Sequence, residues 1–443
     1  MPGPRCAVPL FETVREWLED ALRAAAYPAP ARTRVALLLT GLVAGEPATV
    51  SGLSRTLRGL ALSPAAEPSI ARRLLRVLED PRLDPARLLP AVFTRRLPEL
   101  LAGLVAAHEA NRGCPPGQHA RFRPLRLIVD ETSQEDAVHL LVLGLWYQGL
   151  VLPLAVRAWP QNVPLAADAY WVALGELCWE VHRLLPPVLR DHVLLLADRG
   201  YGVPRLLDLL TSLGWAWVVR VPGQARVQLP TGRVVALRDL VPQAGGRWLG
   251  TCPLSDLPTP APDPPPLAVF QRAGWRHAQV VGVWLPAQRE PWLLLTNLPA
   301  TTARLAEYAQ RWAIERLFLC WKSHGWDLEA GRVRDAARLA RLVSVLALAT
   351  WWRLACAHPA AAGALAHRAG RGRGPVRQLA LPLAARPPDR RPWPAKFSLF
   401  TWGRKAIQET DCRHETPPLD WSFPDWEAPP WPQRCLHAAI ELP

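Results

Sequence analysis

One stretch of fifteen residues, 308–322, constrains the fold of this chain more than any other. Its pattern is helical, and it sets four polar side chains at steps of three, four and seven residues: Tyr308, Arg311, Glu315 and Lys322. At about 100° per residue, the four fall within roughly 60° of one another on one helix face. A helix face with two cations, a phenol and an acid is poorly suited to packing in a hydrophobic core. It is better suited to binding phosphate groups while its acid serves as a metal ligand. The alternative is a surface helix with i,i+4 ion pairs.

Composition favours a polyanionic partner. The chain has 443 residues and a net charge of +14, and only three of its basic residues are lysines. The forked guanidinium of arginine suits phosphate groups, so the excess charge points to nucleic acid. Half of the residues are hydrophobic, which is enough for a large core and two or more domains. Eight scattered cysteines without a CxxC pair argue against a disulfide scaffold or a zinc site.

Two features of the sequence predict a cytoplasmic protein without membrane contact. The N-terminus lacks a basic region followed by an apolar run, so no signal peptide is expected. The most apolar helical pattern, from Leu339 to Ala357, is interrupted by Arg341 and Arg353. The eleven residues between these arginines are too few to cross a bilayer.

Residues 1–120 have helical periodicity and are interpreted as an N-terminal DNA-binding domain. Within them, residues 49–58 and 69–79 form two short helical patterns separated by a turn, which resemble a helix-turn-helix. The second pattern carries three arginines on its expected exposed side: Arg72, Arg73 and Arg76. Any small helical bundle has a similar pattern, so specific DNA binding here is one of two interpretations.

From residue 121 the pattern changes to a mixed α/β arrangement. Short apolar runs alternate with helices, and residues 138–146 and 150–159 predict a hairpin around the turn Tyr147-Gln-Gly149. We interpret residues 121–222 as the first part of a catalytic core, residues 223–290 as a β-rich insertion and residues 291–357 as the second part of the core. Residues 358–443 would form a basic tail rich in proline and tryptophan.

Three acids form the candidate catalytic site. Asp130 and Asp198 each close an apolar strand pattern, and Glu315 lies on the later helix. Carboxylates are hard oxygen ligands, which suit two Mg²⁺ (or Mn²⁺) ions. A pair of such ions roughly 4 Å apart activates an attacking oxygen and stabilises a leaving one at phosphorus. The alternative for each aspartate is an ordinary turn residue after a strand.

Asp130, Asp198 and the Y-x2-R-x3-E-x6-K helix resemble the DDE transposases of insertion-sequence family four, the cut-and-paste group that forms hairpin ends. The resemblance covers roughly residues 121–357, and the local sequences Leu-Ala-Asp198-Arg199-Gly-Tyr and Trp292-Leu-Leu-Leu-Thr strengthen it. It implies an RNase H-like mixed-sheet core. A β-strand insertion would interrupt this core between the second acid and the glutamate, and an all-helical N-terminal domain would precede it.

The resemblance also implies roles for individual residues. Asp130, Asp198 and Glu315 would be the metal ligands and catalytic residues. Three further side chains would bind phosphates near the cleaved end: Tyr308, Arg311 and Lys322.

Three other positions carry further expectations. Trp292 matches a tryptophan that stacks on a flipped base, and its alternative is a core tryptophan at a strand start. Arg199 is expected to contact DNA or a catalytic carboxylate. Some relatives have a second lysine where this chain has Leu319, so one phosphate contact would be missing.

Together with the residues above, the resemblance implies a transposase whose partner is double-stranded DNA, both the inverted-repeat ends and the target, and which assembles as a homodimer. One strand would be nicked, the freed 3′-hydroxyl would attack the other strand, and the opened hairpin would be joined to target DNA. Two alternatives remain. One is an RNase H-like nuclease or resolvase without strand joining, and the other is a DNA-binding regulator with an inactive core.

Overall fold

The computed structural model describes residues 8–45, 47–63, 65–111, 125–161, 168–250, 267–270, 274–285 and 288–370, with six positions between 403 and 419. The polyproline run at 258–266 and most of the predicted tail, from residue 371 onward apart from those six positions, lie outside the described residues. The division of the chain into five regions therefore remains an interpretation.

Six helices make up the described N-terminal part: α1 (Val8–Ala24), α2 (Ala29–Ala44), α3 (Val50–Gly59), α4 (Glu67–Glu79), α5 (Pro85–Leu100) and α6 (Ala102–Asn111). Val14, Leu18 and Leu22 recur along one face of α1 and are buried, as an amphipathic helix requires. Thr49 starts α3, because its side chain accepts a hydrogen bond from the backbone N–H of Gly52 at 2.9 Å.

Helices α3 and α4 are the pair predicted as a helix-turn-helix, and they pack against each other. Ile70, Leu74 and Val77 form the buried face of α4. The opposite face is exposed and carries the three predicted arginines Arg72, Arg73 and Arg76. This arrangement leaves the arginines accessible to a partner, and their contact with DNA remains a prediction.

The remaining elements are built around one large mixed sheet. Its strands are β1 (Leu125–Gln134), β2 (Val138–Tyr147), β3 (Leu150–Pro160), β4 (Val193–Ala197), β5 (Ala216–Arg220), β6 (Arg226–Gln228), β7 (Val234–Ala236), β8 (Arg247–Leu249), β9 (Leu267–Val269), β10 (Arg276–Val283) and β11 (Trp292–Thr296). The strand order is β3-β2-β1-β4-β5-β11-β10-β9-β6-β7, with β8 paired to β10. Strands β1 to β3 are antiparallel, whereas β4 is parallel to β1 and β5 is parallel to β4. This mixed α/β architecture is consistent with the RNase H-like core that was expected.

The predicted hairpin is formed by β2 and β3. Its turn residues Gln148 and Gly149 have φ angles of 46° and 80°. Two successive positive φ values match the right-handed twist of the flanking strands, which is why a glycine follows a polar residue here. The turn fixes the register in which Tyr147 pairs with Leu150.

The region predicted as a β-rich insertion extends the same sheet. β10 pairs with β11, and β11 pairs with β5, so the short strands between residues 223 and 290 continue the sheet beyond the core. Pairing of this kind brings the chain back to the sheet centre before the helical segment that carries Glu315.

Helices on the sheet complete the fold: α7 (Ala169–Leu184), α8 (Pro187–Arg190), α9 (Pro204–Ser212), α10 (Ala303–Ala309), α11 (Ala313–Leu319) and α12 (Ala336–Gly370). By length and composition, residues 336–357 of α12 could cross a membrane, contrary to the argument from the interrupting arginines. However, 94% of that apolar window is buried inside the fold. Its hydrophobicity is therefore accounted for by the protein core.

The stretch 308–322, which was predicted to be one helix, belongs to a helical run of changing pitch that begins at Ala303. A 3₁₀ turn at Gln310–Trp312 separates α10 from α11, and a π-helical turn at Cys320–His324 follows α11. Its packing also differs from expectation, because Tyr308 and Arg311 are buried rather than excluded from the core. Both side chains are buried because they meet acids from the sheet.

Candidate active site

Asp130 and Asp198 come from neighbouring parallel strands. Val129 of β1 pairs with Ala197 of β4, so the residues that follow them meet at one edge of the sheet. Asp198 directly follows β4 as predicted. Asp130 does not end its strand, because β1 continues to Gln134 by pairing with β2. The polar residues after Asp130 were taken for a strand end, but their backbone is held by the hairpin.

A tight turn after β4 holds Asp198 against β5. Residues Arg199–Tyr201 form a 3₁₀ turn, and Gly202 follows it. A β-carbon at Gly202 would lie 2.5 Å from a methyl group of Val221 and 2.8 Å from the carbonyl oxygen of Arg220. The close approach of this turn to β5 therefore requires glycine at position 202.

Arg311 lies between the three predicted acids. One terminal nitrogen (Nη1) donates to Oδ2 of Asp130 at 2.9 Å, and the other (Nη2) donates to Oε1 of Glu315 at 3.0 Å. Nη2 also lies 3.9 Å from Oδ2 of Asp198. The predicted triad is thus brought together around a guanidinium group. The Arg311–Glu315 contact is the i,i+4 ion pair of the alternative interpretation, although Arg311 is buried while the Glu315 side chain is 43% exposed.

Tyr308 and Trp292 line the same site. The hydroxyl of Tyr308 donates to Oδ1 of Asp198 at 2.8 Å. Its ring packs edge-on against Trp292, with centroids 5.2 Å apart and an interplanar angle of 78°. Trp292 begins β11 and is buried. This placement matches the alternative to base stacking, a core tryptophan at the start of a strand. In this arrangement Tyr308 contacts a catalytic candidate, and its contact with a phosphate remains a prediction.

Burial and charge shift the pKa values of the acids in opposite directions. Burial raises the pKa of Asp130 to about 6, although the charge of Arg311 lowers it. Burial also raises the pKa of Asp198, but Arg311, the backbone N–H of Arg199 and the Tyr308 hydroxyl outweigh it, so the net pKa is lowered. Burial raises the pKa of Tyr308, which keeps the phenol protonated as a donor. Two neighbouring carboxylates with separated pKa values are common in catalytic sites.

Lys322 and Arg199 have partners that the sequence did not reveal. The ammonium group of Lys322 donates to the carbonyl oxygen of Ser133 at 2.8 Å and lies 3.2 Å from Oε1 of Glu329. The guanidinium of Arg199 donates to Oε2 of Glu290 at 3.1 Å, and the backbone N–H of Arg199 contacts Asp198. Contact of Arg199 with DNA remains a prediction. Lys322 and Arg199 meet these partners only through the folding of the sheet and helices, so their spacing in the sequence does not predict the contacts.

The chemistry of the three carboxylates fits a divalent ion. They supply hard oxygen ligands, and they already surround one positive group. Within the described part of the chain, however, no three acidic, histidine or cysteine side chains are arranged to hold a metal ion as they stand. The predicted ligands therefore need a shift of side chains, centred on Arg311, before they could share an ion.

Comparison with known proteins bears on this site. Comparison with curated proteins finds no match to the chain. Residues 176–352 match a family model described as transposase DDE domain. The matched segment includes Asp198 and the whole helical run to Lys322, whereas Asp130 lies before it. Transposases of this family generally use divalent metal ions and act on DNA. The domain match, together with the convergent acids, supports a DDE transposase.

Proposed function

We propose that this protein is a cut-and-paste DNA transposase with Asp130, Asp198 and Glu315 as its catalytic acids. The observation that carries the proposal is their convergence on Arg311 from strand β1, the turn after β4 and helix α11. The family match over residues 176–352 supports a transposase that acts on DNA, and the order of events at DNA is part of the proposal.

In this proposal the three carboxylates hold two divalent ions, Mg²⁺ or Mn²⁺. Such ions supply positive charge that activates an attacking oxygen and stabilises the leaving oxygen of an in-line displacement. The parallel pairing of β1 and β4 fixes two of the acids, and α11 carries the third. Tyr308 holds a carboxylate oxygen of Asp198 in place through its hydroxyl.

The reaction sequence follows insertion-sequence family four. One strand is nicked at the element end, the freed 3′-hydroxyl attacks the opposite strand to give a hairpin, and the reopened end is joined to target DNA. Lys322 and the exposed Arg72, Arg73 and Arg76 on α4 would contact phosphates. We place the enzyme in the cytoplasm, acting on both element ends as a homodimer.

The test is cleavage of linear DNA that carries the sequences flanking the gene, labelled on each strand. The wild-type protein with Mg²⁺ should give nicked and then hairpin products on denaturing gels. Asp130→Asn, Asp198→Asn and Glu315→Gln should each abolish cleavage while end binding in a mobility-shift assay persists. Normal cleavage by any of the three would refute the assignment.

A matched control distinguishes the effect of replacing an acid of the triad from the effect of replacing any other acidic residue. Asp208 on α9 forms an exposed ion pair with Arg276 at 2.9 Å, away from the site. Asp208→Asn makes the same chemical change as Asp130→Asn and should cleave normally. Nicked products without hairpins or joined products would instead favour the nuclease alternative.

A further inference from the structure

Arg311 has more contacts with acids than a phosphate-binding residue requires. Its two terminal nitrogens contact Asp130, Glu315 and Asp198, and the residue is only 5% exposed. Its ring neighbours are Tyr308 and Trp312, with the guanidinium carbon 5.9 and 5.4 Å from the ring centroids. A guanidinium enclosed in this way is not available to DNA.

We infer that Arg311 is the counter-cation of the three acids in the metal-free protein and that it competes with divalent ions for them. The inference rests on the proposed function, because it takes the triad as the metal site. The guanidinium lies 2.9 to 3.9 Å from one oxygen of each acid, where an ion shared by them would have to lie. Two positive groups cannot share that space without strong repulsion.

The hydrogen bonds of Arg311 leave it able to exchange partners. Its Nε is buried and has no hydrogen-bond partner among the described residues. The carboxylates therefore accept hydrogen bonds from the two terminal nitrogens of the guanidinium group but not from its Nε. A DNA phosphate accepts two parallel bonds from a guanidinium, so it offers an alternative partner. Arrival of DNA would free the acids for the metal, and Arg311 would then take the phosphate role expected of it.

The consequence is that DNA-free protein should bind divalent ions weakly. The experiment is titration of the full-length, DNA-free protein with Mn²⁺, followed by electron paramagnetic resonance of the free ion. Arg311→Gln should bind Mn²⁺ at least tenfold more tightly than wild type, a change of about 1.4 kcal/mol. Adding Asp198→Asn to Arg311→Gln should remove that gain, which assigns the ion to the triad.

Arg304→Gln is the matched control. Arg304 lies one helical segment earlier and pairs with Glu307 at 3.0 Å, and its variant should bind Mn²⁺ as wild type does. Arg311→Lys keeps the charge but cannot bridge two acids through a fork. It should fold even where Arg311→Gln does not, and should bind Mn²⁺ at least threefold more tightly than wild type.

Unchanged Mn²⁺ affinity in folded Arg311→Gln, or in Arg311→Lys if only that variant folds, would overturn the inference. So would a gain that persists when Asp198→Asn is added. Because the titration contains no DNA and no cleavage, its result is separate from the test of the proposed function. Cleavage by the triad variants would refute the function, whereas equal Mn²⁺ binding would refute only the competition by Arg311.

Discussion

Replacement of the buried Arg353 by methionine should destabilise the protein more than any surface change. Arg353 on α12 is fully buried and donates to three backbone carbonyls at the end of α2. These are the carbonyls of Val43, Leu42 and Gly45, at 3.2, 3.0 and 3.0 Å. Its guanidinium also lies over the ring of Trp326, 4.1 Å from the centroid. One side chain therefore ties the N-terminal helices to the catalytic part of the chain.

The size of the effect follows from these contacts. The last carbonyls of a helix have no partner within it, so Arg353 supplies bonds that the α2 backbone lacks. A hydrogen bond to a charged group contributes about 1.5–3 kcal/mol. Arg353→Met loses three of them, but it also avoids the cost of burying a charge. We expect a net loss of about 3–5 kcal/mol, a large share of the 5–15 kcal/mol that is typical of folded proteins.

The assay is urea denaturation followed by tryptophan fluorescence and circular dichroism. Arg341→Met is the control, because Arg341 lies on the same helix and donates to one carbonyl, that of Leu78, at 2.7 Å. It loses one bond of the same kind and should lose about 1.5–3 kcal/mol at most, less than Arg353→Met. The reasoning is refuted if Arg353→Met loses no more stability than Arg341→Met, since the contacts with α2 would then contribute little.

Two further predictions concern the acids and the turn beside them. In metal-free buffer the pKa of Asp130 is raised in the folded state to about 6, against an ordinary 3.8. Between these two pH values the folded state therefore binds more protons than the unfolded state. The unfolding free energy of wild type relative to Asp130→Asn should therefore fall by up to about 3 kcal/mol between pH 4 and pH 7, as measured by urea denaturation at each pH. A pH-independent difference would contradict the raised pKa. Gly202→Ala should cost about 1–3 kcal/mol by the same assay and slow cleavage, because its β-carbon would meet Val221 and displace the turn that holds Asp198. Wild-type stability and cleavage in that variant would show that the turn can relax.

Local patterns in the sequence were enough to predict the strands and one turn. Alternating and apolar runs located β1 to β4, and Tyr147-Gln-Gly149 marked the hairpin. The position of Asp198 after its strand was also readable, because a short apolar run that ends in an acid is bounded on both sides. These features depend on neighbours a few residues away, and such neighbours are visible in a sequence.

Features that depend on distant neighbours could not be predicted. The end of β1 was placed at Asp130 because the following residues are polar, yet pairing with β2 continues the strand to Gln134. The burial of Arg311 follows from acids that lie 181 and 113 residues earlier in the chain. Likewise the partners of Lys322 lie on β1 and after the π-helical turn. Helical spacing placed these side chains on one face but could not tell which groups they would meet.

The three acids differ in how firmly the fold holds them, and this difference bears on how the site could change. Pairing with Val142 of β2, next to the β4 pairing that ends at Val129, fixes Asp130, and the tight turn after β4 fixes Asp198. Glu315 and Arg311 lie on a helical run in which 3₁₀, α and π turns follow one another. Hydrogen bonds in 3₁₀ turns have poorer geometry, and such breaks often occur at functional hinges. Exchange of the guanidinium for an ion would therefore move the helical run, while the two aspartates stay in place to receive the metal.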